Sequence, residues 1–192
     1  MRNLAGIALL LVGSIAFGDD DLQSLKVKET YWSFEAGFVE GKPWVGSEDA
    51  RIGSMWQVSY VKPMARFRFK SNPAEGVFSA YYMPSRTSAF DGHPANTLYT
   101  YGIKVGARYW NEWIPGVNTF FDLGWGLAYA ERTTQDLSNQ VNSTPYFGIG
   151  VMTKFLDQEY IFSIRWHHMS NAGTGGDNQG FNGIVYSIGV KF

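Results

Sequence analysis

Residues 182–192 read Asn-Gly-Ile-Val-Tyr-Ser-Ile-Gly-Val-Lys-Phe. Ile184, Tyr186, Ile188, Val190 and Phe192 fall on one parity, and Gly183, Val185, Ser187, Gly189 and Lys191 on the other. A period of two belongs to a pleated strand, whose successive side chains point to opposite faces. The segment before it repeats the pattern: Tyr160, Phe162, Ile164 and Trp166 share one parity, while Ser163, Arg165 and His167 share the other. Both segments predict strands with one wholly apolar face.

Working toward the N-terminus, clusters of Gly, Pro, Asn, Asp and Ser separate further alternating segments, as turns between antiparallel strands do. Eight strands are predicted, over residues 31–40, 52–69 (irregular at Pro63), 76–83, 98–111, 117–131, 144–155, 159–170 and 182–192. Aromatic residues make up 17% of the chain and there are 22 glycines, with no long apolar segment of helical period after Gly18. That mixture suits β-structure.

A soluble β-sandwich alternates in the same way. Three features favour a membrane barrel instead. Met1-Arg2-Asn3, the apolar stretch Leu4–Ala16 and the small residues before Asp19 read as a signal peptide cleaved after Gly18. That stretch falls short of the roughly 20 residues a spanning helix needs. The strands are long enough for a tilted membrane crossing, and an aromatic residue closes the last amphipathic strand. Trp32, Trp44, Trp56, Trp110, Trp113, Trp125 and Trp166 lie near strand ends about as often as within them, which loosely suggests interfacial girdles.

Backbone groups in lipid must all be paired, so the sheet has to close. The expected fold is therefore all-β, an eight-stranded antiparallel transmembrane β-barrel, formed as one domain by residues 19–192. Eight strands leave an interior that side chains fill, which argues against a porin and makes Lys104, Arg165 and His167 interior polar residues. The chain has no Cys and a net charge of −1, so disulfides are excluded and no basic groove for nucleic acid is indicated.

The chemistry-bearing residues cluster between the last two strands. His168, Ser170 and Asn182 share the even parity of the apolar faces, so they are expected to point outward, where a purely structural barrel has little use for them. Residues two apart on a strand are about 6.6 Å apart, within range of an imidazole and a hydroxyl in suitable rotamers. Ser170 then reads as a nucleophile, His168 as its general base and Asn182 as the group orienting the imidazole. Candidate donors to a developing oxyanion are the side chains of Asn171 and Asn178 and backbone amides such as that of Gly173. The plainer reading is a polar turn at the membrane surface, since His, Ser, Asn and Gly are common turn residues. His-x-Ser alone does not choose between the two.

Gly124-x-Gly126 and Gly148-x-Gly150 lie inside strands and lack the following helix of a phosphate-binding loop. His93, with Asp91 nearby, offers too few ligands to suggest a metal site.

His168-Met169-Ser170-Asn171-Ala172-Gly173, followed by Asn178-Gln179-Gly180-Phe181-Asn182, resembles the His-x-Ser-Asn signature of the PagL family of outer-membrane lipid A 3-O-deacylases. Phe121–Gly126 and Thr144–Gly150 resemble the family more weakly. The resemblance implies an eight-stranded barrel that cleaves an ester-linked acyl chain from lipid A with a Ser-His-acid triad on its outer face. It implies no cofactor. Ser170 takes the nucleophile position and His168 that of the base, and Asn171 and Asn178 match asparagines of the oxyanion site.

Where the family has a glutamate, this chain has Asn182, which can orient an imidazole but brings no charge; Asp177, in the loop, is a lesser option. With both termini periplasmic, the loop after the seventh strand faces outward, toward lipopolysaccharide. The implied partners are thus lipid A and outer-membrane lipids. The alternative is a catalytically silent small barrel with a structural or ligand-binding role.

Overall fold

Side chains that alternate between β-branched or aromatic and small or polar residues suit strands that are apolar on one face only. In the computed structural model such strands make up most of the described residues. It describes residues 29–41, 46–69, 72–89, 94–114, 117–174 and 179–192. The expected signal peptide, Trp44, His93, Asp177 and Asn178 lie outside the described residues.

The strands are β1 (Tyr31–Gly41), β2 (Ile52–Phe69), β3 (Asn72–Arg86), β4 (Thr97–Ile114), β5 (Val117–Ala130), β6 (Val141–Ser143), β7 (Tyr146–Phe155), β8 (Gln158–Met169) and β9 (Phe181–Lys191). Each pairs antiparallel with its neighbours, and β1 also pairs with β9, through Phe34↔Val190 and Phe38↔Tyr186. The sheet is therefore closed.

The short β6 and β7 form a single stave. Both pair with β5 in one continuous register, Leu127↔Ser143 and Gly124↔Tyr146. Pro145, which lacks an N–H, interrupts the ladder between them. The barrel thus has the eight staves that the alternation predicts. β3 extends beyond residues 76–83 at both ends and takes Pro84 into the ladder opposite Tyr99. The irregularity expected at Pro63 comes slightly later: Pro63 pairs in register with Glu75, and the shift falls between Met64 and Arg68.

Polarity is inverted relative to a water-soluble protein. Trp125, Ile149, Ile164 and Ile188 are each 50% or more exposed on the outside, a surface suited to hydrocarbon and not to water. Among the described tryptophans Trp110 is the exception, because it points inward and packs edge-on against Phe120.

Inside, Arg165 binds Glu35 (Nη1 to Oε2, 2.6 Å) and Asp122 (Nη2 to Oδ2, 2.9 Å), and Arg108 reaches Asp122 at 3.4 Å. Lys104 lies over the rings of Tyr81 and Tyr146, 4.8 Å from each. A cavity of about 10 Å³ remains beside Glu35, Lys104, Arg165 and His167, room for roughly one water molecule. The cylinder is plugged, as expected for this strand number.

Arg165→Met should leave Glu35 and Asp122 short of their main cation and cost about 3–5 kcal/mol. Urea unfolding of the barrel in vesicles measures it. A loss within experimental error would mean that Arg108 alone neutralises both carboxylates.

Candidate active site

The register of β8 on β9 sets His168 directly opposite Asn182. Both belong to the outward parity, like Phe162 and Ile164 lower on β8. His168 Nδ1 and Asn182 Oδ1 are 2.8 Å apart. Asn182 Nδ2 donates to the carbonyl of Gly180 at 3.3 Å, which fixes the orientation of the amide. Oδ1 must then accept, so Nδ1 carries the ring proton and Nε2 of the neutral imidazole keeps its lone pair. That is the tautomer a general base requires.

Two further contacts hold the ring. Trp166 stacks on it, with centroids 5.3 Å apart and planes 13° apart, and Phe147 packs against Trp166 at 5.1 Å. On another side lies Gly180, with φ +81°, where an added Cβ would stand 2.5 Å from His168 Cε1 and 3.2 Å from Nε2. Glycine is required there twice over, for the left-handed backbone and for the imidazole.

Ser170 continues β8 by one isolated bridge. Its N–H donates to the carbonyl of Ser143 at 3.1 Å, and its own carbonyl accepts from Ser143 N at 2.7 Å. The backbone is thereby held, and Ser170 is half-buried on the same parity as His168. Among the described residues no hydrogen bond joins Ser170 Oγ to the imidazole; such contacts often tighten only when substrate is bound.

The chain then turns sharply, with Ala172 at φ 53° and Gly173 at φ 79°. Asn171 is buried and organises this turn: its Oδ1 accepts from Gly173 N at 2.8 Å, and its Nδ2 donates to Ser138 Oγ at 2.9 Å. The Gly173 amide is thus engaged by Asn171. Of the candidate oxyanion donors, Asn178 lies outside the described residues.

Asn182 has the outward parity of its strand, yet it is only 7% exposed. The loop between β1 and β2 covers it, with Gly46 beside its Nδ2. Arg51, fully buried at the end of that loop, donates to Thr134 Oγ1 (3.0 Å) and lies 4.4 Å over the Phe181 ring. Alternation within single strands carries no signal for such contacts between loops.

The model of the lipid A 3-O-deacylase (PagL) family matches residues 28–191. Among solved structures, the crystal structure of the outer membrane enzyme PagL superposes with a TM-score of 0.57 at 18% identity, covering 83% of this chain and 98% of that one. The backbone structure of the Yersinia pestis outer membrane protein Ail gives a TM-score of 0.42 at 11% identity, covering 85% of this chain and 100% of that one. No curated protein matches.

Gly173 and Gly180 provide a matched pair of substitutions. Gly173→Ala should cost the left-handed strain, about 1–3 kcal/mol, since among the described residues nothing lies within 4 Å of its Cβ position. Gly180→Ala should cost measurably more, because the imidazole must move as well. Equal losses on urea unfolding would mean that His168 yields freely.

Proposed function

Because the chain belongs to the lipid A 3-O-deacylase (PagL) family, we propose that it is an outer-membrane hydrolase that removes an ester-linked 3-hydroxyacyl chain from lipid A, with Ser170, His168 and Asn182 as its catalytic group. The observation that carries this reading is the 2.8 Å contact between His168 Nδ1 and Asn182 Oδ1 on the outward face. It leaves Nε2 as the base on the side where a hydroxyl two residues along the strand is available.

Ser170 Oγ attacks the ester carbonyl carbon as His168 Nε2 takes its proton. The tetrahedral intermediate collapses, and His168 returns the proton to the departing sugar oxygen. Water, deprotonated by the same nitrogen, then attacks the acyl-serine and releases the hydroxy fatty acid and Ser170. Asn178, and Asn171 through whatever donor capacity its turn leaves, are the proposed oxyanion donors. Gly173 serves by holding the turn. No cofactor enters this scheme.

Asn182 supplies orientation without charge. In serine proteases, replacing the triad aspartate by asparagine costs about four orders of magnitude, largely through the wrong tautomer. Here the amide orientation selects the useful tautomer, so the expected handicap is confined to the missing charge beside the imidazolium.

The substrate reading draws support from the surface below the site. Phe162, Ile164, Tyr186 and Ile188 are exposed on β8 and β9, at the depth where acyl chains attached to a sugar at the site would run. With residues 1–18 removed as a signal peptide and both termini periplasmic, the β8–β9 connection lies at the outer leaflet, where lipid A resides.

Mass spectrometry of lipid A from Gram-negative cells expressing the wild-type chain should show loss of one hydroxyacyl mass, and Ser170→Ala should abolish it. His168→Ala should lower the rate about 10²–10⁴-fold. Unchanged lipid A with correctly inserted wild-type protein would instead support a catalytically silent barrel.

A further inference from the structure

Both arms of the β8–β9 connection are gripped by one tight turn between β5 and β6. Thr134 and Leu137 exchange backbone hydrogen bonds of 2.9 and 3.1 Å, with Asp136 between them. The Asp136 carbonyl accepts from Gly180 N at 3.0 Å. Gly180 is the residue that abuts the imidazole and accepts from Asn182 Nδ2. On the other arm, Ser138 accepts from Asn171, next to Ser170. A shift of this turn would therefore change how Ser170, His168 and Asn182 lie relative to one another.

Arg51 Nη2 to Thr134 Oγ1 and Gln135 Nε2 to Glu48 Oε2, each 3.0 Å, tie this turn to the β1–β2 loop, and the Asp136 side chain supplies three further hydrogen bonds. The fully buried Asp136 carboxylate accepts from Ser47 Oγ, from Glu48 N at 2.9 Å and from Asp49 N at 3.1 Å. All three donors belong to the loop that covers Asn182. A carboxylate with several aligned donors makes charge-assisted hydrogen bonds, about twice as strong as neutral ones. Burial raises the Asp136 carboxyl above the ordinary aspartate value, while these donors oppose that rise.

We propose that Asp136 is a positioning residue for the reaction: by clamping residues 47–49 it seats its own turn, holds Gly180 against the His168 ring and so sets the direction of Nε2 toward Ser170. This rests on the proposed catalytic role of His168. Asp136 touches neither substrate nor the reacting atoms and acts through Gly180.

The test compares wild type, Asp136→Ala and Asp136→Asn, refolded as full chains, each confirmed by heat-modifiable migration and assayed on lipid A in micelles. A misplacement near 1 Å costs about 10²-fold, so Asp136→Ala should lower kcat by about that factor with KM nearly unchanged. Asp136→Asn keeps one acceptor oxygen but turns an NH₂ group toward donors, and should fall between. If Asp136→Ala does not fold, Asp136→Asn and Ser47→Ala, which removes one donor outside the site, carry the comparison, each with a several-fold loss of kcat expected.

The second readout is the ¹⁵N ring signals of the histidines, which require no turnover. The His168 signals should shift in Asp136→Ala while those of His167, inside the barrel, stay in place. Folded variants with wild-type kcat, or a loss wholly in KM, would overturn the proposal, as would unmoved His168 signals. A wild-type chain without deacylase activity would remove the proposed function, and the ring signals would still decide the clamp.

Discussion

Everything in this molecule follows from the cost of an unpaired peptide group in hydrocarbon, several kcal/mol for each N–H or C=O left without a partner. A sheet meets that constraint only by closing, and here β1 closes on β9. Closure at eight staves sets the radius, and the radius leaves an interior that side chains fill. The apolar residues of each strand then have to face outward. The polar ones turn inward, where they need partners of their own, and the four charges of Glu35, Asp122, Arg108 and Arg165 supply them to one another.

The adjacent histidines show what strand parity does to chemistry. His167 faces the interior, edge-on to Tyr81, with neither ring nitrogen hydrogen-bonded among the described residues. One residue on, His168 faces outward with its Nδ1 held by Asn182 and its ring stacked on Trp166. The two imidazoles share a sequence neighbourhood but not a surrounding. Only the outer one has a nucleophile candidate on its face and access to lipid.

Placing the proposed catalytic groups on the outer wall of a barrel raises a problem that an enclosed cleft does not have, since one face would be open to mobile lipid. The loop end answers it. The β1–β2 loop covers Asn182, the β5–β6 turn grips both arms of the β8–β9 connection, and Arg51 packs beneath them against Phe181. These contacts join segments 33 or more residues apart in the chain, and the Ser47–Asp136 contact that backs them spans 89.

Alternation, clearest in residues 159–170 and 182–192, determined the strands and their apolar faces, because a period of two is a local property; the length and number of the eight segments were needed to turn those strands into a closed, plugged barrel. His168, Ser170 and Asn182 were legible for the same reason: each lies on or beside a strand whose parity could be read. The pairing of His168 with Asn182, and with it the ring tautomer, required the register between β8 and β9. The cover over Asn182, the fit of Gly180 against the imidazole and the role of Asp136 came from tertiary structure alone. In sequence Asp136 is one polar residue in a polar loop, since loops have no period and their contacts are decided by where the closed sheet brings their ends.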